Sequence, residues 1–150
     1  MPGRRYSFEV NRVSKAAPAA LFRLESDGSL WSTWARPLIV QSRWASLGAD
    51  NAGGVGAIRE VGLWPLLVRE KTLEYELDRR HVYTMAGPAP FKDYRAELLL
   101  TPNAAGGTDL RWTGSFTAGV PGVGPIARAA LSGLIGILAA QLVKAAENGR

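Results

Sequence analysis

The chain has no cysteine among its 150 residues. Disulfides and thiolate metal ligands are therefore excluded, and the redox compartment leaves no trace in the sequence. Histidine is nearly as scarce: His81 stands alone, so a zinc site built from His and Cys is not expected. Runs of Lys and Arg are also missing. The formal net charge is +5, yet the cations are scattered and only Arg4–Arg5 and Arg79–Arg80 are adjacent. Nucleic acid is accordingly not expected as a partner. Residues 1–14 carry charges and no apolar segment, so no secretory leader is expected and the cytoplasm is the expected location. The longest apolar segment, Ala129–Val143, is interrupted by Ser132 and Gln141 and bracketed by Arg128 and Lys144. It falls short of the ~20 residues that cross a bilayer, so stable membrane insertion is not expected.

What is present suits one globular domain. The apolar fraction is 47%, and a chain of this length buries about 68–70% of its unfolded surface without staples. Arg5 to Val13 alternates, with Tyr6, Phe8, Val10 and the stem of Arg12 on one face, and predicts a first strand. Ser14 as a cap and Pro18 open a short helix ending at Asp27-Gly28-Ser29, and Leu30 to Trp34 adds a second helical turn. Six strands follow: Leu38 to Ala45, Ala57 to Val61, Leu66 to Leu77, His81 to Met85, Phe91 to Thr101 and Thr108 to Thr117. In the fourth strand Leu73, Tyr75 and Leu77 share a face; in the seventh Leu110, Trp112 and Phe116 do. After the linker Gly119–Gly124, read as a hinge and lid, Pro125 begins a long helix to Glu147. Short connections make the strands antiparallel, giving an α+β arrangement with one sheet face under the helix.

The segments VREKTLEYELDRRHVYTMAG (Val68 onward) and YRAELLLTPNAAGGTDLRW (to Trp112) resemble the polyketide cyclase/dehydrase branch of the START-like (SRPBCC) superfamily. Ala17-Pro18, Leu21-Phe22, Trp31, Trp34 and the glycines before Ile58-Arg59 support that resemblance across most of the chain. It implies the helix-grip fold, a curved seven-stranded antiparallel sheet wrapped around the C-terminal helix. It also implies a deep apolar cavity that holds a lipid, polyketide or other flat hydrophobic molecule, with no cofactor and no metal. The family's catalytic branches use buried polar residues, and no convincing set of them is matched here, so no catalytic residue is assigned.

Pockets are apolar with a few placed polar groups. The cavity-lining candidates are Trp34, Arg43, Leu73, Tyr75, Tyr83, Tyr94, Leu110, Trp112, Phe116, Leu134 and Leu138. The aromatic and aliphatic members fill a core equally well. Trp34 either closes the cavity mouth or, with Trp31, pins the short helices. Glu70, Asp93 and Arg95 are further polar candidates, while His81, after Arg79-Arg80 at a turn, is expected in solvent. Gly133 and Gly136 weaken the long helix, which points to close packing or cavity volume there. The helix is apolar nearly all round, which predicts deep burial and allows a homodimer or another apolar partner. Three functions follow: binding, with transport, of a hydrophobic small molecule; a cofactor-independent cyclase/aromatase; and an interaction module built on the helix.

Overall fold

The computed structural model describes residues 3–63, 65–86 and 92–149. Ten elements follow one another: β1 (Arg4–Ser14), α1 (Pro18–Ser26), α2 (Trp31–Trp34), β2 (Gln41–Ser46), β3 (Ile58–Leu63), β4 (Leu66–Glu76), β5 (Arg80–Met85), β6 (Lys92–Pro102), β7 (Thr108–Ala118) and α3 (Val123–Glu147). The strands form one antiparallel sheet in the order β1-β7-β6-β5-β4-β3-β2. Sequential hairpins build β2 to β7, and β1 closes onto β7 from Arg4↔Ala118 to Ser14↔Thr108. This is the expected helix-grip arrangement. Trp64, the Gly87–Phe91 connection and the start of the sixth strand at Phe91 lie outside the described residues.

The register gives the sheet two ends. At one, here the top, stand the start of β1, the β3–β4 turn, the end of β5, the start of β6 and the end of β7. At the bottom stand the end of β1, the β2–β3 and β6–β7 loops and the β4–β5 turn. α3 runs alongside β1 from top to bottom. Gly124 lies against the Tyr6 ring, Arg12 Nη2 donates to the Gly136 carbonyl at 3.2 Å, and Ser14 Oγ donates to Glu147 at 2.9 Å.

Alternation holds through β7, whose Leu110, Trp112, Gly114 and Phe116 are all buried. Phe8 covers Gly114, where a Cβ would sit 2.3 Å from the ring. In β4 the alternation fails. A bulge between Thr72 and Glu74 leaves Leu73 unpaired and exposed, and it puts Thr72 and Tyr75 on the inner side. Leu73 and the 70% exposed Leu77 therefore do not share an inward face with Tyr75. β2 begins at Gln41, not Leu38.

The long helix also departs from expectation. It starts at Val123, two residues before Pro125, with Gly122 as cap at φ 85°. Apart from Gly124, its buried residues lie in the second half, in a stripe of Ile135, Leu138, Ala139, Leu142, Ala145 and Ala146. Those positions recur at three and four residues, the spacing of one helical face. Ile126, Leu134 and Ile137 are exposed, so the all-round apolarity does not reflect all-round burial. A Cβ at Gly133 would meet nothing, and one at Gly136 would meet only the Arg12 guanidinium at 3.7 Å. The glycine that close packing requires is Gly124, whose Cβ would fall 2.0 Å from Tyr6.

Candidate functional site

The interior contains a group of charges. α1 is nine residues long, with Pro18 at its start and Leu21, Phe22 and Leu24 buried. Its next residue, Glu25, shares that buried face and is 0% exposed. Opposite it, β3 turns Arg59 and Val61 inward, with Ala57 buried just before the strand, and Arg59 is 2% exposed. β5 adds His81, 1% exposed, and β4 adds Thr72 and Glu70.

The groups satisfy one another. Arg59 donates to the Glu25 carbonyl, to Glu25 Oε1 at 3.2 Å and through Nε to Glu70 Oε1 at 2.9 Å. Its guanidinium lies between two rings, 4.5 Å from the Trp31 centroid and 4.7 Å from that of Tyr83. Arginine's planar, weakly hydrated head suits such a site. His81 Nδ1 lies 2.9 and 3.0 Å from the two Glu25 carboxylate oxygens, so it donates there, and Nε2 pairs with Thr72 Oγ1 at 2.9 Å. Trp112 Nε1 donates to the Tyr83 hydroxyl at 3.1 Å. Trp31 and Trp34 donate their indole N–H to the Glu25 and Leu24 carbonyls, completing the C-terminal end of α1.

Environment separates the two carboxyls. Burial alone would raise Glu25, but the charges of His81 and Arg59 and their hydrogen bonds outweigh it and hold the group below the ordinary carboxylate value. For Glu70 burial prevails over Arg59, and its pKa is raised. Its side chain is 11% exposed, the most open of these charges. Burial and the nearby Glu70 charge push the Tyr83 and Tyr94 phenols well up. Two carboxyls in one site, one kept ionised and one made more basic, form the pattern that acid–base chemistry uses.

Beside the cluster, at the bottom of the sheet, an open cleft of about 420 Å³ is lined by Phe22, Ser26, Trp44, Gly53, Tyr75 and Asp78, among others. Phe22 and Tyr75 meet edge to face at 5.2 Å, and Tyr75 reaches towards His81 at 6.4 Å. Burial raises the Tyr75 phenol, with Ser26 opposing.

Of the residues singled out from sequence, Tyr83, Tyr94, Leu110, Trp112, Phe116, Leu138 and Trp34 share one buried cluster, with Tyr75 packed against it. Trp34 pins α2 to α1. Arg43 is not in the interior: strand alternation turns it outward, 64% exposed, paired with Glu60. Leu73 is turned out by the bulge, and Leu134 lies on the exposed flank of α3. Arg95 is on the outer face with Glu74, and Asp93 is exposed at φ 54°. His81 is buried rather than solvated, because the inner face of β5 begins one residue after the turn. Glu25 and Arg59 are not among the sequence candidates. Glu25 falls three and four residues after Phe22 and Leu21, and Arg59 two from Ala57 and Val61, so each occupies an apolar face.

Among the described residues no group of His, Cys, Asp and Glu is placed to hold a metal ion. The model of the polyketide cyclase/dehydrase and lipid transport family matches residues 5–147. No curated protein matches the chain in sequence. Among solved structures, the protein XoxI from Bacillus cereus is similar at TM-score 0.74 and 16% identity, over 93% of this chain and 94% of that one. A protein of unknown function from Staphylococcus aureus matches at 0.77 and 9%, over 98% and 96%. Norcoclaurine synthase from Thalictrum flavum, a point mutant bound to a transition-state analogue, matches at 0.76 and 13%, over 99% and 98%. At these identities the structures share the fold.

Proposed function

The chain belongs to the polyketide cyclase/dehydrase and lipid transport family, and within it we propose that the protein binds a hydrophobic small molecule between the inner face of the sheet and α3. The observation that supports this reading is the partly open Glu70 carboxyl in an aromatic interior. It sits on β4 beside Arg59, near enough to Tyr83 and Tyr94 to raise both phenols. An apolar ligand with one polar end would lay its hydrophobic body against Tyr94, Phe116 and Leu138. Its polar end would meet the Glu70–Arg59 pair. Apolar walls with a few fixed polar groups are how small-molecule sites combine affinity with orientation.

Native mass spectrometry of the purified protein tests this, followed by extraction and identification of any adduct. A stoichiometric hydrophobic molecule is the expected result. An unliganded protein that also takes up neither a long-chain fatty acid nor an aromatic polyketide overturns the reading.

A second reading, cofactor-independent cyclisation of a poly-keto substrate, is favoured by the opposite pKa directions of Glu25 and Glu70. Glu70 would take or return the substrate proton while the aromatic interior folds the chain. Glu70→Gln is then expected to lower turnover of a poly-β-keto thioester about a hundred- to ten-thousand-fold. Absence of turnover by the unaltered protein removes this reading and leaves the binding one standing.

A further inference from the structure

We propose that the top end of the molecule docks on an anionic lipid surface. Exposed apolar side chains gather there from two elements that share little else. On the β3–β4 hairpin Leu63 is 52% and Leu66 80% exposed; on the linker and α3, Val120 is 63% and Ile126 73% exposed. Large apolar groups this open, in two clusters at one end, mark an interaction surface.

Charge chooses the occupant. Arg4 at the start of β1, Lys92 at the start of β6 and Arg128 on α3 are exposed at the same end. No carboxylate side chain occurs between Asp109 and Glu147, so the charges of α3 ahead of its last residue are cations only, Arg128 and Lys144. Asp93 is the one aspartate at the top; Asp27, Asp50, Asp78 and Asp109 all lie at the bottom. Glu60 is held by Arg43 and Arg69. The exposed apolar residues of the bottom, Val13, Leu47, Val55 and Leu77, stand among those aspartates. The top therefore gathers exposed apolar residues with cations and a single aspartate, whereas the exposed apolar residues of the bottom are interleaved with four aspartates. Near a negative surface the protein turns its top inward. α3 is long and apolar enough by composition to cross a bilayer, but its Ile135–Ala146 stripe is packed on the domain. Only the flank opposite that stripe is free, and its end at Ile126 lies at the top, which gives adsorption and not insertion.

The surface is independent of what the interior holds, and its test needs no ligand. The purified protein is sedimented with vesicles of equal phosphatidylcholine and phosphatidylserine and with vesicles of phosphatidylcholine alone. Binding to the anionic vesicles only, weakened by salt, is the expected result. Arg128→Gln and Lys92→Gln should each weaken it about fivefold, and Leu66→Asp and Ile126→Asp about tenfold or more. These positions are open to solvent, and unchanged thermal melting confirms that the variants fold. No binding, equal binding to neutral vesicles, or indifference to the Asp substitutions overturns the proposal. So does a concentration-dependent dimer in light scattering that the same substitutions dissolve, which assigns the face to a second copy of the chain.

Discussion

The two halves of the interior are built on one sheet from different materials. Beneath β1, β7 and β6 the packing is almost wholly apolar: Leu98, Leu110 and Phe116 share one buried cluster with Leu138 and Leu142 of α3. Beneath β3, β4 and β5 the sheet faces α1 and α2, and Glu25, Arg59, Glu70 and His81 replace the aliphatic groups. The first half stabilises the fold by burial, at roughly 25 cal/mol per Å². The second bears charges whose desolvation their mutual attraction offsets only while every partner is in place. A fold that needed only stability would have filled both halves alike, so the difference marks the charged half as the place where function is sought.

The comparison breaks first at Arg59. Arg59→Ala leaves two carboxyls in the interior without their cation, and a loss of about 3–5 kcal/mol is expected in urea denaturation. A loss below that of an apolar truncation would show that the charges do not form one unit. In the apolar half, Leu142→Ala is expected to lose about 3 kcal/mol by the same measurement. That loss should not vary with pH, since Leu142 is an uncharged member of the buried apolar cluster.

The two carboxyls sharpen the contrast through pH. Both start from an ordinary value of 4.5. Glu25 is lowered in the folded protein, so its contribution is present above 4.5 and lost as pH falls through the folded value. Glu70 is raised, so its contribution is full below 4.5 and lost as pH rises through the folded value. Glu70→Gln should therefore gain stability relative to the unaltered protein as pH rises above 4.5, and Glu25→Gln should gain relative to it as pH falls below 4.5. Denaturation curves across that range decide it, and parallel curves would dismiss the assignment. The smallest effect belongs to the free flank of α3: Leu134→Ser is expected within about 0.5 kcal/mol of the unaltered protein.

Much of the fold was legible. The alternation of Leu110, Trp112 and Phe116 marked the inner face of β7, and the turn residues bounded the strands. The β4 bulge was not legible, because one extra residue reverses the faces without changing composition, and so Leu73 was assigned inward. Gly133 suggested packing, but only the path of α3 beside β1 shows that Gly124 is the residue crowded by Tyr6. Of the charged cluster only Glu70 stood out in the sequence. Glu25 and Arg59 sit on apolar faces at helical and strand spacing, whereas the approach of His81 to Glu25 joins residues 56 positions apart and depends on the curvature of the sheet.

The pairing of β1 with β7 has a consequence for how the protein comes into being. The first strand finds its neighbour about a hundred residues later, from Arg4↔Ala118 to Ser14↔Thr108, and Ser14 is then clasped by Glu147. A ribosome adding about 5–20 residues per second leaves β1 without its partner for roughly 5–20 s. For that interval Phe8 and Val10 have no β7 or α3 to cover them. A nascent chain of this kind is a natural client for a chaperone that shelters apolar strands, and its closure is a late event in synthesis.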